Sequence, residues 1–206
     1  MIKFHDATRD HGLASGLRAL YVERAATGVP TGAAGHAVVP ADPAYLGLHP
    51  LLTVPLGDDA LVAVRPGEAG TDADADWLTG VSWIRLGNSR WLLRHVTAHL
   101  TSRRIGTELL LHQQLVKGMV ADALIEQLEA EALLDGAHTV TPAVAAQANA
   151  RVLTADRVLL RLLGASGFVA GPASHSAWAS ELLANVYVGA CLTPADPSQE
   201  ASNDRA

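Results

Sequence analysis

The chain has 206 residues, of which 49% are hydrophobic and 17% charged, as is typical of a globular protein with one sizeable core. A net charge of −6 without a basic cluster argues against a nucleic-acid groove or an anionic membrane surface as a partner. The single cysteine, Cys191, excludes an internal disulfide, and without a signal-peptide core or a membrane-spanning run we expect a cytoplasmic protein.

The first 76 residues predict a reduced N-terminal segment of one helix and a few short strands. Residues 6–27 carry a helical apolar stripe, with Asp6 as the expected N-cap and Gly28 as the stop signal. A linker is expected over 28–35 and a Gly/Asp-rich loop over 67–76. Strands are expected at 36–39, 51–54 and 61–64, the last two joined by a turn at 57–59.

From Trp77 onward the sequence predicts four helices, over 77–104, 107–136, 141–163 and 172–189. The second is rich in good helix formers, and the third begins with a Thr141 cap and a first-turn proline. Short connections predict an antiparallel four-helix bundle over 77–192, so the fold is expected to be mainly α. The polar tail, 193–206, is expected to be disordered.

Two segments near the C-terminus carry a family pattern. Arg161-Leu-Leu-Gly-Ala-Ser-Gly-Phe168 is a glycine turn, and the helix that follows ends in Tyr187-Val188-Gly189. Arg85-Leu-Gly-Asn88, Arg103, Gln114 and residues 116–122 precede them in order and at fitting spacing. Together these segments resemble the C-terminal helical domain of the acyl-CoA dehydrogenases, over residues 77–191. The resemblance implies a truncated, divergent relative with that fold.

The same resemblance implies a flavin cofactor, because the family holds FAD across a subunit boundary. Its arginine at the position of Arg103 grips the FAD pyrophosphate, for which a guanidinium fork is well shaped. A surface ion pair of Arg103 with Glu108 is the alternative. The other cofactor candidates are Gln114, Arg161 and Gly164. The family's assembly implies a homo-oligomer, a dimer or tetramer, or a heteromer with a longer family member.

Three departures from the family pattern affect its chemistry. Arg161 replaces a glutamine, and Ala165 replaces a glycine where a side chain obstructs a close-lying ligand. Val188 replaces the catalytic glutamate, and Trp77 occupies the position that carries the base in some subfamilies. Asp76, one residue earlier, is a candidate substitute base; its alternative role is the N-cap of the first bundle helix.

Other residues are candidates for catalysis and ligand binding. His175, in the segment before the fourth helix, is a second acid–base candidate, with a solvated loop histidine as the alternative. Trp178, Tyr187 and Val188 are expected to line a substrate pocket. His95 and His99 lack a third metal ligand, and residues 72–76 lack the glycine and glutamate of a calcium loop. Solvated acidic residues are expected on the second bundle helix, at Asp122, Glu126, Glu129 and Glu131.

Three functions remain open from the sequence. The first is a degenerate acyl-CoA dehydrogenase-like flavoenzyme that acts on an acyl thioester or a polyketide-like substrate. The second is a non-redox cyclase, dehydratase or isomerase that uses the vacated flavin cleft for a small hydrophobic substrate. The third is a non-catalytic subunit that completes the flavin site of a longer dehydrogenase.

Overall fold

The computed structural model describes residues 2–24, 28–45, 47–137, 139–167 and 169–189, so Cys191 and the predicted disordered tail lie outside the described residues. The protein is mainly helical, as predicted. No described helix is both long and apolar enough to cross a membrane. The helices are α1 Ile2–His11, α2 Leu13–Arg24, α3 Ala75–Thr101, α4 Gln114–Gly136, α5 Pro142–Leu162 and α6 Pro172–Tyr187.

Helices α3 to α6 form the predicted four-helix bundle. Helix α6 runs antiparallel to α3, because Arg85 contacts Ser180 whereas Asn88, one turn later in α3, contacts Ser176. Helix α5 starts where the sequence predicts, since the Thr141 side chain accepts a hydrogen bond from the Val144 backbone N–H at 3.3 Å. This N-cap satisfies one of the free donors at the helix start.

The single helix predicted over 6–27 is wrong, because two helices occupy this region and meet at Gly12. Gly12 adopts φ +88°, a left-handed conformation that ends α1 and that other residues rarely adopt. Asp6 therefore lies inside α1, where its carboxylate contacts Arg9 at 3.1 Å, and it is not an N-cap.

The β-strands cover more of the N-terminal segment than predicted. The expected strands appear as β2 Ala37–Pro40, β3 Pro50–Leu56 and β4 Asp59–Val64, an antiparallel sheet in the order β2-β4-β3. The tight turn between β3 and β4 includes Gly57 at φ +71°. The expected linker and loop each contribute a strand as well, β1 Val29–Thr31 and β5 Gly70–Asp72, which pair in parallel.

A short hairpin separates α3 from α4, so the prediction that the second bundle helix begins at residue 107 is wrong. Its strands, β6 Arg104–Ile105 and β7 Glu108–Leu109, pair around a turn that contains Gly106 at φ +60°. A short 3-10 helix follows, and α4 begins only at Gln114. Sequence propensity favoured helix here, but the left-handed glycine imposes a reversal of the chain.

One hydrophobic core joins the N-terminal segment to the bundle. Phe4, Leu17 and Val38 belong to the same buried cluster as Trp77 of α3 and Leu183 of α6. The domain boundary at residue 76 stays a prediction, but side-chain packing is continuous across it. The N-terminal segment is therefore positioned by direct contact with α3 and α6, and this contact determines which bundle residues remain accessible.

Candidate functional site

The bundle divides the predicted site residues between its two ends. Arg103, Gln114, Arg161 and Gly164 lie toward the end of the bundle where α3 and α5 end and α4 begins, an end we call the cationic end. His175 lies elsewhere, because the adjacent Ser176 contacts Asn88 in the middle of α3. Asp76, Tyr187 and Val188 lie at the opposite end. Because α3 has 27 residues, and a helix rises 1.5 Å per residue, Asp76 and Arg103 are about 40 Å apart. His175 adjoins Ser176, which contacts Asn88, 12 residues or about 18 Å along α3 from Asp76, so Asp76 and His175 do not meet on one substrate within a single chain.

At the cationic end, the side chains of Arg103, Gln114 and Arg161 are exposed. The ion pair between Arg103 and Glu108 does not form; the Glu108 carboxylate instead accepts a hydrogen bond from the Gln113 side chain at 3.1 Å. The backbone of Arg103 is fixed by the hairpin, since its carbonyl accepts from the Leu110 N–H at 2.9 Å. The guanidinium of Arg103 is thus presented to solvent from an ordered backbone, as anion recognition requires.

Helix α3 carries aromatic and basic side chains one turn apart as it approaches Arg103. The Trp91 and His95 rings stack with their centroids 5.2 Å apart. One turn on, burial lowers the pKa of His99, and the charges of Arg103 and His95 lower it further. The imidazole of His99 is therefore favoured in its neutral form, whereas the neighbouring Arg103 keeps its positive charge.

The glycine turn after α5 has one packing glycine and one open glycine. A Cβ on Gly167 would lie 2.3 Å from the Leu160 carbonyl oxygen, so the fold itself requires glycine there. Gly164 adopts φ +57°, and nothing lies within 4 Å of the point where its Cβ would be. Ala165 is exposed beside it. The turn therefore leaves space in front of Gly164, next to Arg161.

At the opposite end, the two positions where the family carries its base are buried in the core. Trp77 and Val188 are each 1% exposed, and the Trp77 ring lies 5.8 Å from that of Tyr187. Tyr21 of α2 packs on Trp77 at 4.8 Å between ring centroids. We call Tyr21, Trp77, Tyr187 and Val188 the aromatic plug. These side chains fill the volume beside the start of α3 and the end of α6.

Hydrogen bonds from the N-terminal segment hold the aromatic plug in place. The Tyr187 hydroxyl accepts from the Val38 N–H at 3.0 Å and donates to the Pro30 carbonyl at 3.2 Å. The Tyr21 hydroxyl donates to the Val38 carbonyl at 2.9 Å. Burial raises the pKa of Tyr187 to about 12 and also raises that of Tyr21. Both phenols therefore stay neutral at physiological pH and act as structural hydrogen-bond partners. A pocket role for Tyr187 and Val188 stays a prediction.

Asp76 faces away from the aromatic plug. The N-cap of α3 is Asp74, whose carboxylate accepts from the Trp77 N–H at 2.7 Å, so the prediction of Asp76 as N-cap is wrong. Asp76 instead accepts from the Arg24 guanidinium at 2.7 Å. It also lines an open cavity of about 650 Å³ whose size is typical of ligand sites. The other walls of this cavity include Lys3, Thr79, Trp83, Leu134 and Val140.

A buried polar cluster in the middle of the bundle was missed by the sequence analysis. Arg85 is fully buried, donates to Ser180 at 3.2 Å and also donates to the Asn149 amide oxygen. Asp156 is buried nearby; burial raises its pKa to about 6, against the opposing effects of Ser89 and Arg85. The sequence signal for it is an arginine, Arg85, within the apolar run of α3. These residues hold three helices in register.

The acidic residues of α4 are also less solvated than predicted. Arg151 of α5 pairs with Glu126 at 3.2 Å and with Glu129 at 3.1 Å. Glu131 pairs with Arg90 of α3 at 2.5 Å. Asp122 is exposed. The acidic face therefore links α4 to its neighbours, because α4 lies between two helices that each contribute an arginine.

Comparison with known proteins supports the fold. No protein-family profile and no curated protein matches the chain. Among solved structures, FkbI, described as acting in biosynthesis of the methoxymalonyl extender unit of the Fk520 polyketide immunosuppressant, is 19% identical with a TM-score of 0.51. The match covers 82% of this chain and 51% of FkbI. A variant of the Tcur3481–Tcur3483 steroid acyl-CoA dehydrogenase is 19% identical with a TM-score of 0.52, over 77% of this chain and 53% of that one.

These similarities extend beyond the bundle. An alignment over 82% of the chain is longer than helices α3 to α6 with their connections, so it includes part of the N-terminal segment. The chain spans about half the length of either solved structure. At 19% identity the similarity concerns the fold alone. The chain therefore has an acyl-CoA dehydrogenase-like scaffold, with its helical bundle corresponding to the C-terminal helical domain of those enzymes.

Proposed function

We propose that this chain is a non-catalytic subunit that pairs with a longer acyl-CoA dehydrogenase and completes the flavin site of that chain. The observation that carries the proposal is the contrast between the two ends of the bundle. The aromatic plug fills the position of the family's base, whereas Arg103, Gln114 and Arg161 remain exposed at the cationic end. Such an end is suited to a phosphate group held by another chain.

The residues present fit one part of FAD. Two guanidinium groups, on Arg103 and Arg161, match the charge of a diphosphate, and the open space at Gly164 admits a close-lying group. The flavin ring has no corresponding place beside Trp77 and Val188, which are buried. When bound, FAD supplies the redox chemistry of the completed site. Within this proposal, Arg103 and Arg161 bind and orient its phosphates.

A dehydrogenase that acts alone is supported less well. Removal of an α-proton from an acyl thioester requires a base close to the flavin ring. Of the two candidates, Asp76 is held by Arg24 on the side of α3 away from the plug. His175 adjoins Ser176, which contacts Asn88 in the middle of α3, far from the plug. The acyl or polyketide-like substrate therefore belongs, in our proposal, to the completed site. The description of FkbI as a polyketide extender enzyme supports that substrate class.

The cavity lined by Asp76 favours a second candidate function, a non-redox enzyme for a small hydrophobic substrate. Its 650 Å³ volume accommodates an acyl-sized molecule, with Trp83 and Leu134 as apolar walls and Thr79 as a polar group. A carboxylate in such a cavity can exchange protons in an isomerisation or dehydration. Asp76→Asn should then abolish turnover of a substrate bound in the cavity and leave its affinity nearly unchanged.

The main proposal is tested by flavin content. The chain is purified alone and after co-expression with a longer acyl-CoA dehydrogenase of the same organism, and FAD is quantified by its visible absorbance. We expect no bound flavin for the chain alone and one FAD per completed site in the complex. In the complex, Arg103→Ala should weaken FAD binding about 10- to 100-fold, because it removes a charge-assisted hydrogen-bond partner.

Arg104→Ala is the matched control. Arg104 is the neighbouring exposed arginine, but its guanidinium donates to the Thr107 carbonyl at 2.8 Å within the hairpin. It should therefore leave FAD affinity unchanged. Stoichiometric FAD on the chain alone, bleached by an acyl-CoA, would overturn the proposal. Equal effects of the two arginine variants, or no complex with the longer chain, would also contradict it.

A further inference from the structure

His5 of α1 is buried where α1 packs against α3, and its ring contacts α3 at two places. The side chain is 3% exposed. Its ring stands edge-on to the Trp83 ring, with 5.9 Å between centroids and 86° between planes. Two turns further along α3, a guanidinium nitrogen of Arg90 lies 3.4 Å from His5 Nε2. A titratable side chain thus lies inside the contact between two helices, between an aromatic ring and a cation.

The hydrogen bonds of His5 fit a neutral imidazole. A guanidinium can only donate, so Nε2 of His5 accepts from Arg90. The single ring proton is then on Nδ1, which donates to the Asp6 carboxylate at 3.1 Å. Protonation would place a second N–H on Nε2, directed at the guanidinium of Arg90. Two donors and two positive charges would then face each other, so the geometry disfavours the charged ring.

The charges around His5 oppose one another. Within α1, the Asp6 carboxylate favours a charged ring, but it also pairs with Arg9 at 3.1 Å. From α3, the guanidinium of Arg90 disfavours a charged ring. Burial lowers the pKa of His5, Asp6 opposes that shift, and the charges of Arg90 and Arg9 lower the pKa further. His5 is therefore neutral at physiological pH and becomes charged in acid.

Neighbouring contacts leave this site little room to relax. Glu131 of α4 pairs with Arg90 at 2.5 Å and fixes the guanidinium beside the His5 ring. The backbones of α1 and α3 also approach closely here, because a Cβ on Gly87 would lie 2.5 Å from the His5 carbonyl oxygen. From α2, Glu23 reaches α1 through its pair with Lys3. The repulsion caused by a charged His5 is therefore relieved most readily by movement of α1 away from α3.

We propose that His5 is a pH-sensitive latch that holds α1 against α3 at neutral pH and releases it in acid. Lys3 of α1 lines the Asp76 cavity together with Trp83, so release of α1 opens that cavity on one side. Because the folded protein lowers the pKa of His5, the contact is at full strength above about pH 6.5 and weakens as the pH falls below it. The latch goes beyond the proposed function, because it requires neither FAD nor a longer chain.

The test is amide hydrogen exchange of the purified chain at about pH 7.5 and about pH 5, on either side of the ordinary histidine pKa. Rates are expressed as protection factors, which remove the pH dependence of the chemical exchange step. In the wild type, the protection of α1 relative to that of α5 should fall several-fold at the lower pH.

Two histidine variants of the same helix form a matched pair. His5→Gln keeps an acceptor for Arg90 but cannot be protonated, so the protection of α1 should be nearly the same at both pH values. His11→Gln is the control, because His11 is an exposed histidine at the end of α1. Its replacement should leave the response of α1 to pH unchanged.

A change of the facing cation separates the latch from a general effect of acid. Arg90→Gln replaces the guanidinium by an amide whose oxygen can accept from a protonated ring. The pKa of His5, measured by NMR titration of its ring protons, should therefore rise, and the response of α1 to pH should shrink. Wild-type α1 that is equally protected at both pH values would overturn the inference. So would an unchanged pH response in His5→Gln, or an unchanged His5 pKa in Arg90→Gln. None of these measurements involves FAD, so failure here is distinct from failure of the proposed function.

Discussion

Val188→Glu tests whether the position of the family's base is part of the core. If the position opened onto a flavin site, a glutamate there would be tolerated and would supply the missing base. In the structure Val188 is 1% exposed, and it belongs to the same buried cluster as Tyr187 and Trp77. A carboxylate at this position would be removed from water, and the nearby phenol of Tyr187 is already engaged with Val38 and Pro30.

The expected loss of stability follows from that environment. An unpaired buried charge destabilises a protein by about 3–5 kcal/mol, a large share of the roughly 5–15 kcal/mol by which domains are stable. Burial raises the pKa of such a carboxyl in the folded state. Below about pH 4 the group is neutral in both states. The loss of stability caused by Val188→Glu should therefore be smallest at low pH and grow as the pH rises toward neutrality.

The assay is urea unfolding of Val188→Glu and of the uncharged, similarly sized Val188→Gln at several pH values. The glutamine variant should lose less stability than the glutamate variant, and its difference in stability from the wild type should be the same at every pH. The reasoning is refuted if the glutamate variant is as stable as wild type at neutral pH. Gain of FAD binding and acyl-CoA oxidation by Val188→Glu alone would refute it more strongly.

Two further predictions concern packing and the buried polar cluster. Gly87→Ala should lower the free energy of unfolding by about 1–3 kcal/mol, because the added Cβ would lie 2.5 Å from the His5 carbonyl oxygen. Gly80→Ala should lower it less, because its Cβ would meet only the flexible Leu20 side chain. Urea unfolding measures both losses of stability, and equal losses would contradict this reasoning. Asp156→Asn should remove a pH dependence of the free energy of unfolding. Because burial raises the pKa of Asp156 to about 6, the wild-type protein should be most stable below about pH 4 and lose stability as the pH rises through 6. Thermal melts of both proteins across that pH range check this prediction. If the melting temperature of Asp156→Asn falls with pH as steeply as that of the wild type, Asp156 is not the cause of the pH dependence.

The helices of the bundle could be predicted because their signals are local. The Thr141 cap, the first-turn proline of α5 and the apolar periodicity of α3 and α6 each act within a few residues. The break at Gly12 could not, since a glycine tolerated inside a helix and one at φ +88° look the same in sequence. Strands β1 and β5 have three residues each, too few for a pattern, and form only because they pair with one another.

The candidate site was predicted as separate positions but not as an arrangement. The sequence predicts Gln114 inside the second bundle helix, whereas Gln114 is the first residue of α4. The filling of the base position depends on contacts between residues distant in sequence. Tyr187 is held by Val38, 149 residues away, and no local signal reports that contact. Likewise, the N-cap of α3 is Asp74 and not Asp76, because an aspartate at either position satisfies the sequence rule for a helix N-cap.

The aromatic plug links the packing of the N-terminal segment to the proposed role of the chain. The N-terminal segment covers the start of α3 and the end of α6, because Tyr21 and Val38 belong to the same buried cluster as Trp77 and Tyr187. Tyr21, Trp77 and Tyr187 supply much of the contact, and a fully buried aromatic side chain stabilises by about 1.5–3 kcal/mol. A flavin ring in that volume would have to expose all three and break the bonds to Val38. The contacts that order the N-terminal segment are therefore the same contacts that close the redox position, whereas the cationic end stays exposed and can serve another chain.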